Sequence, residues 1–311
     1  MKILLAVLAV LALVGGGTLY VLNARQEVQA DSVVTAVITP EQLPFRDKSG
    51  QVALAPRTDP GGQRTLTGLH CDRFHFAAKT AVCLRVRAGA LTPTTDVIVL
   101  DEKLHERQRV EIPGTPSRAR VSPDGRIVAW TAFVTGDSYA TTGFSTRAGL
   151  LDLSDGQLVK TIEELPVLKD GRRYFAADVN YWGITFARDN ATFYATMASK
   201  GSTYLVRGDY PSYRGKVLRD NVECPSLSPD GSHLVFKKKV AEGDQPWRLY
   251  TLDLATMRET PLAETHSVDD QAAWLDEHTV LYGLGGDVWA VPADGSGAPR
   301  QLIAGASSPG V

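Results

Sequence analysis

Two hydrophobic regimes divide the chain. Ile3 to Leu22 runs twenty residues without a charge. Lys2 stands before this stretch, and Arg25 and Glu27 follow it. Past residue 30 the apolar residues come instead in short runs at strand spacing. They are rich in β-branched and aromatic types, and no amphipathic helical run is present. The first regime has the length of a membrane-crossing helix, about 20 residues for a ~30 Å hydrocarbon core. Its positive flank would keep Lys2 in the cytoplasm. The segment reads either as an uncleaved signal anchor or as a signal peptide cut after Ala30, where Val28-Gln29-Ala30 offers small residues at the right spacing. Both readings place residues 31–311 outside the cytoplasm. Residues 1–30 are therefore a leader, and 31–48, punctuated by Pro40 and Pro44, are expected to be a tether. The folded domain is expected over 49–311.

The second regime repeats. Val121-Ser122-Pro123-Asp124-Gly125-Arg126-Ile127-Val128-Ala129-Trp130 and Leu227-Ser228-Pro229-Asp230-Gly231-Ser232-His233-Leu234-Val235-Phe236 are the clearest copies. Weaker copies begin at Phe186 and Trp274, and a degenerate one at Phe76. Successive copies start 45, 65, 41 and 47 residues apart. In each unit a short apolar strand enters a turn, and a second strand leaves it. Proline presets φ, aspartate bonds back to the backbone and glycine takes the positive φ. Two more strands follow, as in Arg248 to Leu254 and Pro299 to Ile303. Four short strands per unit at this period predict an all-β propeller blade.

These repeats resemble the TolB-like β-propeller family, with its WD-type Ser-Pro-Asp-Gly turns. The copies at 121 and 227 match closely, whereas those at 76, 186 and 274 have lost proline or glycine. The resemblance covers about 66–311 and implies six blades, an extracytoplasmic setting and no particular activity. Five repeats are visible. The strands at 51–54 and 64–67 read as the outer half of a sixth blade, for which the chain end, 304–311, supplies an inner strand and closes the ring.

Composition narrows the function. Lys+Arg 33 against Asp+Glu 35 leaves a net charge of −2, with no basic footprint for nucleic acid. No Gly-x-Ser-x-Gly elbow, His-Glu-x-x-His or phosphate loop occurs. His266, near Asp269 and Asp270, reads as part of a solvated inter-blade loop rather than a metal site. No cofactor or metal is expected, and the chain is expected to be a monomer. Three cysteines exclude a four-thiolate zinc site. Cys71 and Cys83 stand twelve residues apart across an expected hairpin in an oxidising compartment. A turn centred near Ala77-Ala78 sets Cys71 opposite Leu84, one residue off register, so the bridge stays open as a possibility.

Equivalent positions of a ring converge on one opening. Residues four to seven before each turn motif include Asp72, Ser117, Trp182, Glu223 and Asp270, with Asn180 and Asp269 beside them. Asp72, Glu223, Asp270 and Trp182 are the candidate binding residues. An acidic mouth of this kind suits a cation or the basic end of a peptide. The 65-residue spacing also holds two aromatic insertions, 136–146 and 169–182. The expected function is a non-enzymatic propeller binding a protein, peptide or other ligand at the cell envelope, attached to the membrane through residues 3–22. The alternative is a carboxylate- or metal-dependent hydrolase or lyase with its site in the channel.

Overall fold

The computed structural model describes residues 36–89, 91–134 and 145–310. The leader and most of the insertion at 136–146 lie outside the described residues. Among those described, no helix is long and apolar enough to cross a membrane.

The described chain is all β, folded as six blades around an axis. Blade 1 holds β1 (Gln42–Asp47), β2 (Gln51–Pro56) and β3 (Thr65–His70). Blade 2 holds β4 (Arg73–Ala77), β5 (Thr80–Val86), β6 (Thr94–Asp101) and β7 (Glu106–Pro113). Blade 3 holds β8 (Thr115–Val121), β9 (Ile127–Val134), β10 (Ser145–Asp152) and β11 (Leu158–Val159). A hairpin, β12 (Val167–Lys169) and β13 (Arg172–Tyr174), precedes blade 4, made of β14 (Asn180–Phe186), β15 (Thr192–Ser199), β16 (Ser202–Asp209) and β17 (Arg214–Asp220). Blade 5 is β18 (Glu223–Leu227), β19 (His233–Lys239), β20 (Trp247–Asp253) and β21 (Glu259–Pro261). Blade 6 is β22 (Ala273–Trp274), β23 (Thr279–Leu284), β24 (Asp287–Pro292) and β25 (Arg300–Ile303). Strand β26 (Ala306–Ser307) returns to blade 1 and pairs with β1, Arg46 opposite Ser307 and Asp47 opposite Ala306. Closure through one shared sheet leaves the ring without a long exposed edge.

One expectation about a segment needs correction. The stretch read as a tether, 31–48, contains β1, whose Leu43 and Phe45 are fully buried. Proline discouraged a strand there. The β26 ladder covers only Arg46 and Asp47, so Pro44 interrupts no bond to the inner neighbour. The second insertion forms a hairpin: β13 within it pairs with β12, which pairs in parallel with β17, so the sheet of blade 4 has six strands.

The core lies between blades, where each sheet face packs on the next. Phe193, Ile184 and Tyr181 of blade 4 meet Ile127 and Leu150 of blade 3. The turns close as their residues require. Asp230 accepts bonds from Ser228 Oγ, the Ser232 amide and Ser232 Oγ at 2.5, 3.0 and 2.5 Å, and Gly231 takes φ +77°. These bonds hold the Asp230 carboxyl down at about 2. Asp230→Ala is expected to cost about 1–2 kcal/mol of stability, read by denaturant unfolding. An unchanged midpoint would show that the turn bonds do not matter.

Candidate functional site

The inner strands β4, β8, β14, β18 and β22 run side by side around the axis, and alternate residues point inward. The residue just before four of the five repeat copies is one of these, His75, Arg120, Thr185 and Ser226, and Trp274, the first residue of the fifth copy, completes the circle. They form the floor of an open funnel of about 1170 Å³ on the side of the Ser-Pro-Asp-Gly turns. Its walls are largely apolar, built from Phe76, Phe186, Leu227, Trp274 and Leu275 with Ile38 at the entry. Lys79, Arg188, Asp189 and Glu277 stand near the rim.

The floor is tied together across blades. Arg120 Nη1 lies 2.9 Å from His75 Nε2, and Nη2 donates to Ser226 Oγ at 3.3 Å. The Val121 amide donates to His75 Nδ1, and Trp274 Nε1 donates to the Ser226 carbonyl at 2.9 Å. Burial pulls the Arg120 guanidinium down to about 10, though Asp270 partly restores it.

One layer deeper the inner strands contribute charged side chains. Arg73 Nε and Arg118 Nη1 both donate to the Ser117 carbonyl, at 2.6 and 2.8 Å. Arg118 lies 3.9 Å from Asp270 and 3.8 Å from Cys224 Sγ. The far mouth continues this pattern. Lys237 is paired with Asp269 and stands opposite Glu223 in the β18–β19 ladder. Burial raises the Glu223 carboxyl to about 7, against the pull of Lys237 and with help from Asp269.

This changes the picture of an acidic mouth. Asp72 and Asp270 both act on Arg73, and Asp269 and Glu223 act on Lys237. The carboxylates thus alternate with Arg73, Arg118 and Lys237, which the position rule did not capture. Glu223 is buried, and Asp72 accepts the Val86 amide at 2.8 Å. Trp182 sits half-buried on β14, opposite Thr196. His266 is oriented by Glu264 at 2.8 Å rather than by Asp269 or Asp270. Among the described residues, no group of three or more His, Cys, Asp or Glu side chains is placed to hold a metal ion. Cys71 and Cys83 are joined in a disulfide, Cα atoms 5.4 Å apart, and Cys224 is a buried free thiol. The register pairs Phe74 with Cys83, so Cys71 lies beyond the β4–β5 ladder and reaches its partner as the chain turns into β4.

No family model matches this sequence, and no curated protein does. Solved structures do match. TolB from Acinetobacter baumannii is 16% identical with a TM-score of 0.56, over 84% of this chain and 66% of that one. A puromycin-hydrolyzing peptidase of Mycobacterium tuberculosis is 17% identical with a TM-score of 0.52, over 86% of this chain and 44% of the peptidase. A putative TolB from Agrobacterium tumefaciens is 11% identical with a TM-score of 0.50, over 86% and 90% of the two chains. This chain spans slightly under two thirds of the first and under half of the second. At these identities the likeness speaks to architecture alone: the fold is that of a TolB-like six-bladed β-propeller.

Proposed function

We propose that this chain is a non-enzymatic binding propeller of the cell envelope, whose ligand-binding site is the axial funnel. The funnel carries the reading. It is a large concavity with apolar walls and a few polar groups converging at its floor, the usual form of a site for a peptide or small ligand. Beneath it lies a layer of charged side chains, Arg73, Arg118 and Asp270. The uncharged stretch Ile3–Leu22 and the Cys71–Cys83 disulfide support a setting outside the cytoplasm.

The test is retention of a short-peptide library by the full chain, read by mass spectrometry, for wild type and for Leu227→Trp. Leu227 lines the wall, and an indole there obstructs part of the funnel. Wild type is expected to retain a defined subset about tenfold better than the obstructed variant. The same subset retained equally by both would remove the funnel as the site. A hydrolase acting in the same funnel is the competing reading, because the Mycobacterium peptidase shares the fold. Cleaved products among the retained peptides would favour it.

A further inference from the structure

Blade 4 carries the β12–β13 hairpin on its outer edge, and there the run Arg172-Arg173-Tyr174-Phe175 falls. Register fixes which residues share a face. Tyr194 lies opposite Arg207, Arg207 opposite Lys216, Lys216 beside Leu168, and Leu168 opposite Arg173. Directly paired residues project from the same side of a sheet. Arg207, Lys216, Leu168 and Arg173 therefore make one exposed row across four strands, at about 4.8 Å per strand. Leu168 is 47% exposed, and Phe175, just past β13, is 88% exposed.

Among the described residues, Arg173, Arg207 and Lys216 form no salt bridge. Asp189 and Asp209 feel Arg207, but neither pairs with it directly, and both carboxylates bond to turns. Asp189 takes the Ala191 and Thr192 amides, and Asp209 takes the Ser212 amide. Like charges directly opposite destabilise a sheet, so the fold gains nothing from setting Arg207 against Lys216. The row also flanks a seam. Tyr194, on the same face, packs with Leu234 and Phe236 of blade 5, and Arg219 of β17 reaches Glu259 of that blade at 3.0 Å.

We propose that this row is the docking surface for an acidic, extended segment of a partner protein. Its carboxylates lie along Arg207, Lys216 and Arg173, and an apolar side chain rests on Leu168 and Phe175. Charge complementarity selects the partner and speeds the encounter. The surface is separate from the funnel, which none of these residues lines.

The probe is a fluorescein-labelled oligoglutamate peptide containing one leucine, with its oligoglutamine counterpart as reference. Binding to the full chain in neutral detergent is read by anisotropy. At about 50 mM salt the acidic peptide is expected to bind about tenfold more tightly, and the preference should shrink severalfold at about 0.5 M. Lys216→Glu gives Arg207 a partner, so it should raise the melting point by about 1 °C or more while weakening the acidic peptide about tenfold. Lys103→Glu, an equal charge change on exposed blade 2 surface, should leave the affinity within about twofold. Equal affinity for the two peptides overturns the proposal. So does unchanged affinity in Lys216→Glu, or an equal loss in Lys103→Glu.

Discussion

Between about pH 5 and pH 8 the wild-type chain is expected to lose about 2–3 kcal/mol of stability relative to Glu223→Gln. The cause is local. Glu223 is 8% exposed, and burial lifts its carboxyl from an ordinary 4.5 to about 7. The folded state thus holds this proton more tightly than the unfolded chain does. Stability from that proton is complete below the unfolded value, fades as pH rises through about 7 and is absent above it. The neighbouring ion pair does not titrate in this window. Lys237 loses some charge preference to burial, but Cys224, Asp269 and Glu223 hold it above its usual value. Asp269 is also pushed up by burial, and Lys237 holds it below its usual value. Glutamine keeps the shape and never ionises, so the variant should be the more stable of the two at pH 8. The melting-point difference between the chains should grow by about 5–10 °C across the window. A difference independent of pH would mean that Glu223 is hydrated and the far mouth is open.

Gly208→Ala is expected to destabilise by about 3 kcal/mol, although its backbone conformation is open to alanine. Phe193 stands opposite Gly208 in the β15–β16 ladder, and its fully buried ring lies over the glycine. A Cβ at 208 would come within 2.0 Å of the ring. The ring must leave the blade 3–blade 4 core to make room. Trp130 lies over Gly149 in blade 3 in the same way, where a Cβ would come within 2.6 Å of the ring, so an aromatic ring covering a glycine is a repeated device of this propeller. The two sites should couple. In a Phe193→Ala background, itself costing about 3–5 kcal/mol, the added Gly208→Ala should cost under about 1 kcal/mol. Additive losses would show that the ring and the glycine do not share the space.

The hairpins were legible because their turn chemistry is local. Ser122 to Gly125 and Ser228 to Gly231 name a turn without help from distant residues. Blade 1 was half legible: β2 and β3 carry ordinary strand patterns, but Pro40 and Pro44 hid β1, and only the closed ring shows why a proline is harmless there. The glycines under Trp130 and Phe193 had no visible reason in the sequence, since the pairing that sets ring over glycine is a property of the ladder.

The candidate site was legible by position but not by end. Counting back four to seven residues from each turn found carboxylates at the far mouth. It passed over the intervening Arg73, Arg118 and Lys237, which come from inner strands and from the second strand of blade 5. A simpler periodic signal was present. The residue immediately before each copy is His75, Arg120, Thr185 or Ser226, polar in four of five repeats. These four positions meet at the funnel floor, and only the alternation of the inner strands shows that they face the axis.

Placing a photoreactive benzoylphenylalanine at Leu227, in the funnel wall, or at Asp72, at the far mouth, tests the central claim most directly. Each full-chain protein is irradiated with an envelope extract, and the adducts are mapped by mass spectrometry. The funnel reading predicts a discrete adduct at 227 and none at 72. A discrete adduct at 72 with none at 227 would contradict it and return the site to the opposite mouth.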